Sequence, residues 1–142
     1  MNEIFVYDKG IYHEADAEEV LPGSKGLNHI GFFFGWVCDS NLESDSVGNE
    51  FADEIAAFRR REITGPDLLR VLGGTLASDM LSPIGNEFAK RYYDSGTYFD
   101  DYAELFDGEV LSMYGVENNW ENYERVKQMI GERFSGMNRG QG

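Results

Sequence analysis

The amino-acid sequence predicts a mainly α protein: a single compact helical domain with a minor N-terminal β-hairpin, and an α+β domain as the alternative. Its 142 residues, 42% of them hydrophobic, suit one domain, which at this length buries roughly 70% of its unfolded surface. Several segments place apolar residues three or four positions apart, between Ser, Thr, Pro and Gly residues that cap or end helices. We expect the domain to span residues 1–134 and residues 135–142, "SGMNRGQG", to form a flexible tail.

The N-terminal third contains the predicted hairpin and the most apolar segment. Residues 4–15, "IFVYDKGIYHEA", place two short runs of β-branched and aromatic residues around a "DKG" turn, which is typical of a hairpin. An acidic loop over residues 16–26 follows, and residues 27–42 are then apolar on every side of a helix, as in a central, buried helix. A strand is the competing interpretation, because short apolar runs fit both, but the length of sixteen residues favours a helix.

Three shorter helices are predicted in the middle of the chain. Residues 49–62 keep two phenylalanines and an isoleucine on one face and end in arginines, which suit the negative end of the helix dipole. Residues 63–74 have Thr64 as an N-cap, Pro66 in the first turn and two glycines as a terminator. Residues 82–94 repeat this pattern with a serine cap and a proline at the first helical position.

Residues 92–109, "YYDSGTYFDDYAELFDGE", combine six aromatic and six acidic residues with no basic residue. Within them, residues 99–106 space their rings for one face of an amphipathic helix, with rings inward and carboxylates outward. Residues 109–116 are predicted as a short strand, and the last helix as beginning at Asn118 or Asn119 and ending at Phe134.

The charge distribution indicates the class of partner. The net charge is −14, residues 1–58 carry twelve acids and two bases, and residues 94–124 carry nine acids and no base. Surface charge that serves solubility alone is normally interspersed with the opposite sign, so we interpret this surplus as a functional acidic surface. It disfavours nucleic acid and anionic membranes as partners and favours a basic protein.

The sequence also predicts where the protein resides. Its longest apolar run, residues 30–38, is about half as long as a membrane span, and the N-terminal residues do not have the pattern of a signal peptide. We therefore expect a cytoplasmic protein. Cys38, the single cysteine, lies inside that apolar run and is interpreted as a buried hydrophobic residue.

Motifs for catalysis, metals and cofactors are not recognised. His13 and His29 stand apart from each other and from any metal-ligand spacing. The glycines around Lys25 lack phosphate-loop spacing, and residues 39–46 lack the glycine and glutamate of a calcium loop. Adjacent acids such as Asp100 and Asp101 diverge on a helix instead of converging on a substrate. We therefore expect no enzyme and no cofactor; the enzyme alternative requires a pocket where a histidine meets a carboxylate.

Five segments carry a resemblance to a known group of proteins. "VYDKGIYH", "HIGFFFGW", "REITGPDLL", "NEFAKRYYD" and "WENYERVK" resemble a family of small acidic bacterial proteins encoded beside polymorphic toxins. The similarity spans residues 4–134. It implies an immunity protein, which neutralises a toxin such as those delivered by type VI secretion, and it carries over no functional residues.

The charge pattern and the resemblance lead to the same hypothesis. An acidic protein can occupy the basic groove with which a nuclease toxin holds phosphates, and can be steered there electrostatically. The alternative is an acidic adaptor or DNA-mimic inhibitor of another basic protein. Tyrosines among the acids are expected to anchor the partner. For Tyr102, a position in the core is the alternative to a role as an anchor. The predicted partner-binding residues are Asp39, Glu43, Asp45, Glu50, Asp53, Tyr93, Asp94, Tyr98, Asp100, Asp101 and Glu104.

Overall fold

The protein folds as a helical domain with one small sheet. Its structure is a computed structural model that describes residues 3–10, 26–110 and 112–141, with side chains as far as residue 137. Two 3₁₀ turns, Ser78–Met80 and Met113–Gly115, connect some of the elements. The strands and helices are β1 (Val6–Lys9), α1 (Asn28–Asp39), α2 (Asp45–Glu50), α3 (Ala52–Arg59), α4 (Gly65–Val71), β2 (Thr75–Ala77), α5 (Pro83–Tyr92), α6 (Thr97–Leu105) and α7 (Trp120–Gln141). The predicted mainly α class with a minor β element is confirmed.

The sheet joins the N-terminus to the middle of the chain. Strand β1 pairs with β2 in antiparallel register, with Val6 opposite Ala77 and an irregularity between Val6 and Asp8. Backbone bonds extend the pairing at both ends, from Gly10 N to Gly74 O and from Ser78 N to Phe5 O, each 2.8 Å long. The partner of the first strand is therefore distant in sequence. The second half of the predicted hairpin, residues 11–15, lies outside the described residues.

Helix α1 forms the centre of the domain. Every residue from Asn28 to Cys38 is buried, which confirms the helix over the competing strand. It packs chiefly against α4 and α7, and Cys38 is a buried free thiol whose pKa burial raises. None of the helices in the described ranges combines the length and the apolar character that crossing a bilayer requires.

Local capping signals explain where the shorter helices begin. The Thr64 hydroxyl accepts from Asp67 N, and the Asp67 carboxylate accepts from Thr64 N, both at 3.3 Å, so a complete capping box begins α4. Ser82 caps α5 in the predicted way by accepting from Gly85 N. The predicted glycine terminator is confirmed as well, since Gly73 has a positive φ of 106°.

Three element predictions differ from the structure. The helix predicted over residues 49–62 is divided into α2 and α3 at Phe51, which leaves helical geometry with φ −115° and ψ 33°. Residues 113–115 form a 3₁₀ turn where a strand was predicted, because the chain has no neighbouring strand there within the described residues. Helix α7 continues past Phe134 to Gln141, through the predicted tail.

Candidate partner-binding surface

Internal ion pairs decide which acids remain available to a partner. Each of the seven arginine side chains in the described ranges lies within 4.0 Å of a carboxylate. Because acids outnumber bases, thirteen carboxylates in the same ranges have no ion pair. They are Glu3, Asp45, Glu50, Asp53, Glu54, Asp79, Asp94, Asp100, Glu104, Asp107, Glu117, Glu121 and Glu132.

Asp39, predicted to bind a partner, instead holds together α1, α7 and the turn that follows α3. Its carboxylate accepts from Arg61 at 3.1 Å and from the Tyr123 hydroxyl at 2.5 Å, and it lies 3.4 Å from Lys127 Nζ. Burial raises the pKa of Asp39, but the hydrogen bonds from Arg61 and Tyr123 and the nearby positive charges outweigh that effect and leave this pKa lowered. With its side chain 10% exposed, Asp39 is a structural residue, which corrects the prediction.

Two other predicted contacts are also occupied internally. Glu43 pairs with Arg59 at 2.7 Å. Asp101 accepts two hydrogen bonds from Arg133, at 2.8 and 2.9 Å, and one from the Tyr92 hydroxyl at 2.8 Å. The hydrogen bond from Arg133 lowers the pKa of Asp101 most, against the opposing effect of burial. These carboxylates already have cationic partners, so they are not free to bind a basic protein.

The two predicted tyrosine anchors belong to the core. Tyr93 and Tyr98 are 1% and 0% exposed. The Tyr93 hydroxyl donates to Asp8 Oδ2 at 2.6 Å, and the Tyr98 hydroxyl donates to the carbonyl of His29 at 2.6 Å. Tyr102 is fully buried as well. The prediction is wrong for these rings because buried hydroxyls find hydrogen-bond partners inside the domain, which lets tyrosine serve as a core residue.

The other six predicted acids are exposed and have no ion pair among the described residues. Asp100 and Glu104 lie four residues apart on α6, so they share one face of that helix. Glu104 lines a shallow groove of about 370 Å³ between α6 and α7, but the cationic Arg133 lines the same groove. This region therefore mixes both signs of charge. Asp94 follows α5, and the remaining three acids, Asp45, Glu50 and Asp53, lie on α2 and at the start of α3.

A second groove brings free acids together with exposed apolar side chains. It has a volume of about 400 Å³ and lies between the β1–β2 sheet and α2; we call it the strand groove. Ile4 and Val6 line it from the strand side, and Val47 lines it from α2. Glu50 and Asp79, both exposed and without an ion pair in the described part of the chain, line it too. The other groove-lining residues are Lys9, Ser46, Phe51, Leu72, Thr75, Ala77 and Met80.

The contacts of Ser44 explain why both acids line this groove. Its hydroxyl donates to the carbonyl of Asp79 at 2.8 Å, and its backbone N–H donates to Met80 O at 2.9 Å. The same hydroxyl accepts from Val47 N and so caps α2. One serine therefore joins the start of α2 to the 3₁₀ turn, and Asp79 and Glu50, which lie on these two elements, line the same groove.

Comparison with known proteins places the chain in a family. The family model described as a domain of unknown function, DUF7832, matches residues 6–116. The chain belongs to this family. The matched range of the DUF7832 domain includes both strands, helices α1–α6 and the groove acids Glu50 and Asp79, whereas α7 follows it. No curated protein matches the chain, and no solved structure matches it.

Sequence reasoning did not predict three functional candidates of this chain, two of which lie in the DUF7832 domain. Asp79 stands alone in "ASDML" with no local signal, and its place on the same groove as Glu50 depends on the Ser44 contacts. Ile4 and Val6 were predicted as part of a strand, and their alternation with Phe5 was the available signal that they share one face. Their exposure, 62% for Ile4, could not be read from that pattern.

The geometry required by the enzyme alternative is present in part. His29 Nε2 lies 3.5 Å from Asp8 Oδ2, so a histidine does meet a carboxylate, while His13 lies outside the described residues. Both partners are buried, at 1% and 5% exposure. Neither side chain lines the strand groove or the groove between α6 and α7. Within the described ranges, no three metal-ligating side chains cluster to hold an ion.

Two adjacent acids of the DUF7832 domain, Asp100 and Asp101, provide a matched test of which carboxylates are paired inside the domain. We expect Asp101→Asn to lower the free energy of unfolding by about 1 kcal/mol, because Arg133 and Tyr92 lose a charged acceptor. Asp100→Asn should stay within about 0.5 kcal/mol of the wild type, because Asp100 is exposed and has no ion pair among the described residues. Urea unfolding at neutral pH measures both values, and equal effects of the two substitutions would contradict the assignment.

Proposed function

We propose that the protein is an immunity protein that binds a basic antibacterial toxin and neutralises it by covering its active site. The toxin would be a nuclease delivered by a type VI-like secretion system, and the protection would operate in the cytoplasm. The observation that supports this proposal most is that the described arginines are paired inside the domain while many acids are not. The seven described arginines are engaged by internal carboxylates, while thirteen described acids have no ion pair.

The mechanism requires binding and no catalysis. A nuclease holds phosphates with lysines and arginines, and an acidic surface can replace those phosphates. Long-range attraction between opposite charges raises the association rate by orders of magnitude at low salt. Acids such as Glu50 and Asp79, which have no ion pair within the described ranges, give up none there when they meet the partner. Neutralisation then follows because substrate and inhibitor compete for the same cationic groove.

Two alternative functions, an acidic adaptor and a small enzyme, differ from this proposal in different ways. An acidic adaptor or DNA-mimic inhibitor of another basic protein would use the same surface, so only the identity of the partner distinguishes it. A small enzyme is favoured by one distance, the 3.5 Å between His29 and Asp8. That pair is buried, whereas the acids without an ion pair lie at the surface of the described part of the chain, and this favours binding over catalysis.

The direct test is co-expression with the products of the two genes that flank the gene of this protein. We expect one of these products to be toxic alone, to be tolerated when the protein is co-expressed, and to co-purify with it. If one product is toxic and the protein neither protects the cells from it nor binds it, the proposal is overturned. Tight binding to a basic protein that is not toxic would favour the adaptor alternative.

Charge reversal tests whether the free acids carry the binding. Replacing Asp45, Glu50 and Asp53 together with lysine should weaken binding of that toxin on the order of 100-fold at low salt, because each reversal removes one attraction and adds one repulsion. The dependence of affinity on salt should fall in parallel. Isothermal titration calorimetry at several salt concentrations measures both quantities.

The control variants carry the same change in charge at other places. One replaces Asp94, Asp100 and Glu104 with lysine, and another replaces Asp107, Glu117 and Glu121, all without ion pairs among the described side chains. We expect the last variant to bind most like the wild type. If all three variants keep wild-type affinity and salt dependence, the acidic surface is not the binding site.

A further inference from the structure

Exposed apolar side chains of the described residues concentrate near the sheet. The large ones are Ile4, Phe5, Val6, Val71 and Ile84, of which three are consecutive in the first strand region. Ile4 and Val6 line the strand groove, while Phe5 packs its ring against Tyr7 at 5.1 Å, away from the groove. Burial of Ile4 and Val6 by a partner would release ordered water at a gain of roughly 25 cal/mol per Å².

The charges beside these side chains indicate the chemistry of the partner. Glu50 and Asp79 line the groove without an ion pair in the described ranges, and Asp45 lies next to the groove residue Ser46. One cation, Lys9, lines the groove from the strand side. The local charge is therefore negative, so an anionic ligand such as a nucleic acid would be repelled. A second copy of this chain would bring another −14 charges to the same surface, which disfavours self-association.

We propose that the strand groove receives one apolar side chain of the basic partner, and that a lysine or arginine next to it in the partner meets Glu50 and Asp79. This inference rests on the proposed function and identifies the segment that the partner presents. The groove volume of about 400 Å³ lies within the range of small-ligand pockets, about 300–1,000 Å³. A few side chains seated in pockets carry most of the energy of a protein interface, and opposite charges around such a pocket add specificity and speed association.

Capped synthetic pentapeptides test the groove without the partner. The probe GKLRG has an apolar residue between two cations, GKSRG keeps the cations without the apolar residue, and GQLQG keeps the apolar residue without the cations. We expect GKLRG to shift the backbone amide NMR signals of Ser46, Val47 and Asp79, with a dissociation constant on the order of 1 mM. Both other peptides should bind about tenfold more weakly. Equal binding of GKLRG and GKSRG, or no shift at groove residues, would overturn the inference.

Two isoleucines provide the matched test with the toxin of the co-expression experiment. Ile4→Ser removes an apolar side chain that lines the groove, whereas Ile84→Ser removes one outside it; these side chains are 62% and 58% exposed, so both variants should fold. Neither substitution changes the charge. We expect Ile4→Ser to weaken binding about tenfold and Ile84→Ser to leave it unchanged.

The outcomes separate this inference from the proposed function. If the wild type neutralises the toxin in a salt-dependent way and Ile4→Ser binds like Ile84→Ser, the groove inference fails and the proposed function stands. If the wild type neutralises no toxin but GKLRG still binds at the groove in preference to the other peptides, the proposed function fails and the groove is still a site for cationic, apolar segments.

Discussion

Replacing Gly31 with alanine should lower the free energy of unfolding by about 3 kcal/mol or more. Helices α1 and α4 approach so closely that a Cβ atom on Gly31 would lie 2.3 Å from Pro66 Cα and 2.5 Å from Pro66 N. Both of these are backbone atoms, so no side-chain rotation relieves the clash. The helices must move apart, which disturbs the most buried helix of the domain. Urea unfolding measured by circular dichroism gives the difference in stability.

The matched control for Gly31 is Gly131, which lies in helix α7. A Cβ atom on Gly131 would meet Trp36 Nε1 at an ordinary contact distance of 3.8 Å. Alanine has the higher helix propensity, so Gly131→Ala should stabilise the protein by about 0.5–1 kcal/mol. The two identical substitutions are thus expected to have opposite signs. A Gly31→Ala variant as stable as the wild type would show that α1 and α4 are further apart than described.

Replacing Asp39 with asparagine should lower the free energy of unfolding by about 1–2 kcal/mol at neutral pH. The amide keeps the size of the side chain, but Arg61 and Lys127 lose the charge that they share. Arg61 also lies over the Trp120 ring, 4.8 Å from its centroid, and so would remain partly buried with less compensation. We expect no change in affinity for a basic partner, because Asp39 is already engaged internally.

The effect of Asp39→Asn should depend on pH with a defined sign. The pKa of Asp39 is lower in the folded protein than its ordinary value, so its contribution is complete above the unfolded pKa of about 4 and is lost as the pH falls through the folded pKa. The stability difference between wild type and variant should therefore be largest at neutral pH and shrink in acid. Urea unfolding from pH 7 to pH 3 measures this difference.

The control for the pH experiment is Asp53→Asn, which changes an exposed acid without an ion pair in the described part of the chain. Its stability should differ little from that of the wild type at every pH. A difference for Asp39→Asn that stays constant down to pH 3 would mean that the carboxylate contributes through its shape and not through its charge.

Local signals were sufficient for several elements. The capping pair of Thr64 and Asp67 and the hydroxyl of Ser82 act within three residues of their own backbone, so their geometry hardly depends on the remainder of the chain. Helix α1 was predictable for another reason, because a segment that is apolar on all sides must be surrounded by other elements.

Contacts between distant residues could not be predicted in this way. Strand β1 has the composition of a strand, but pairing with β2 requires a contact between residues 6 and 77. The tyrosines of residues 92–109 look like anchors beside acids, whereas Tyr93 donates to Asp8 and Tyr98 to the His29 carbonyl. A tyrosine can serve either purpose, and only the presence of an acceptor inside the fold decides which.

The sequence by itself determined the helical class, most of the helix starts and the surplus of negative charge, because composition and short-range capping act along the chain. Only the tertiary structure decided which carboxylates are free. Asp39 and Asp101 are bound by Arg61 and Arg133, whereas Glu50 and Asp79 line a groove that exposed apolar residues also line. The physical reason is that an ion pair depends on distances of a few ångströms, which residues far apart in the chain acquire only through packing.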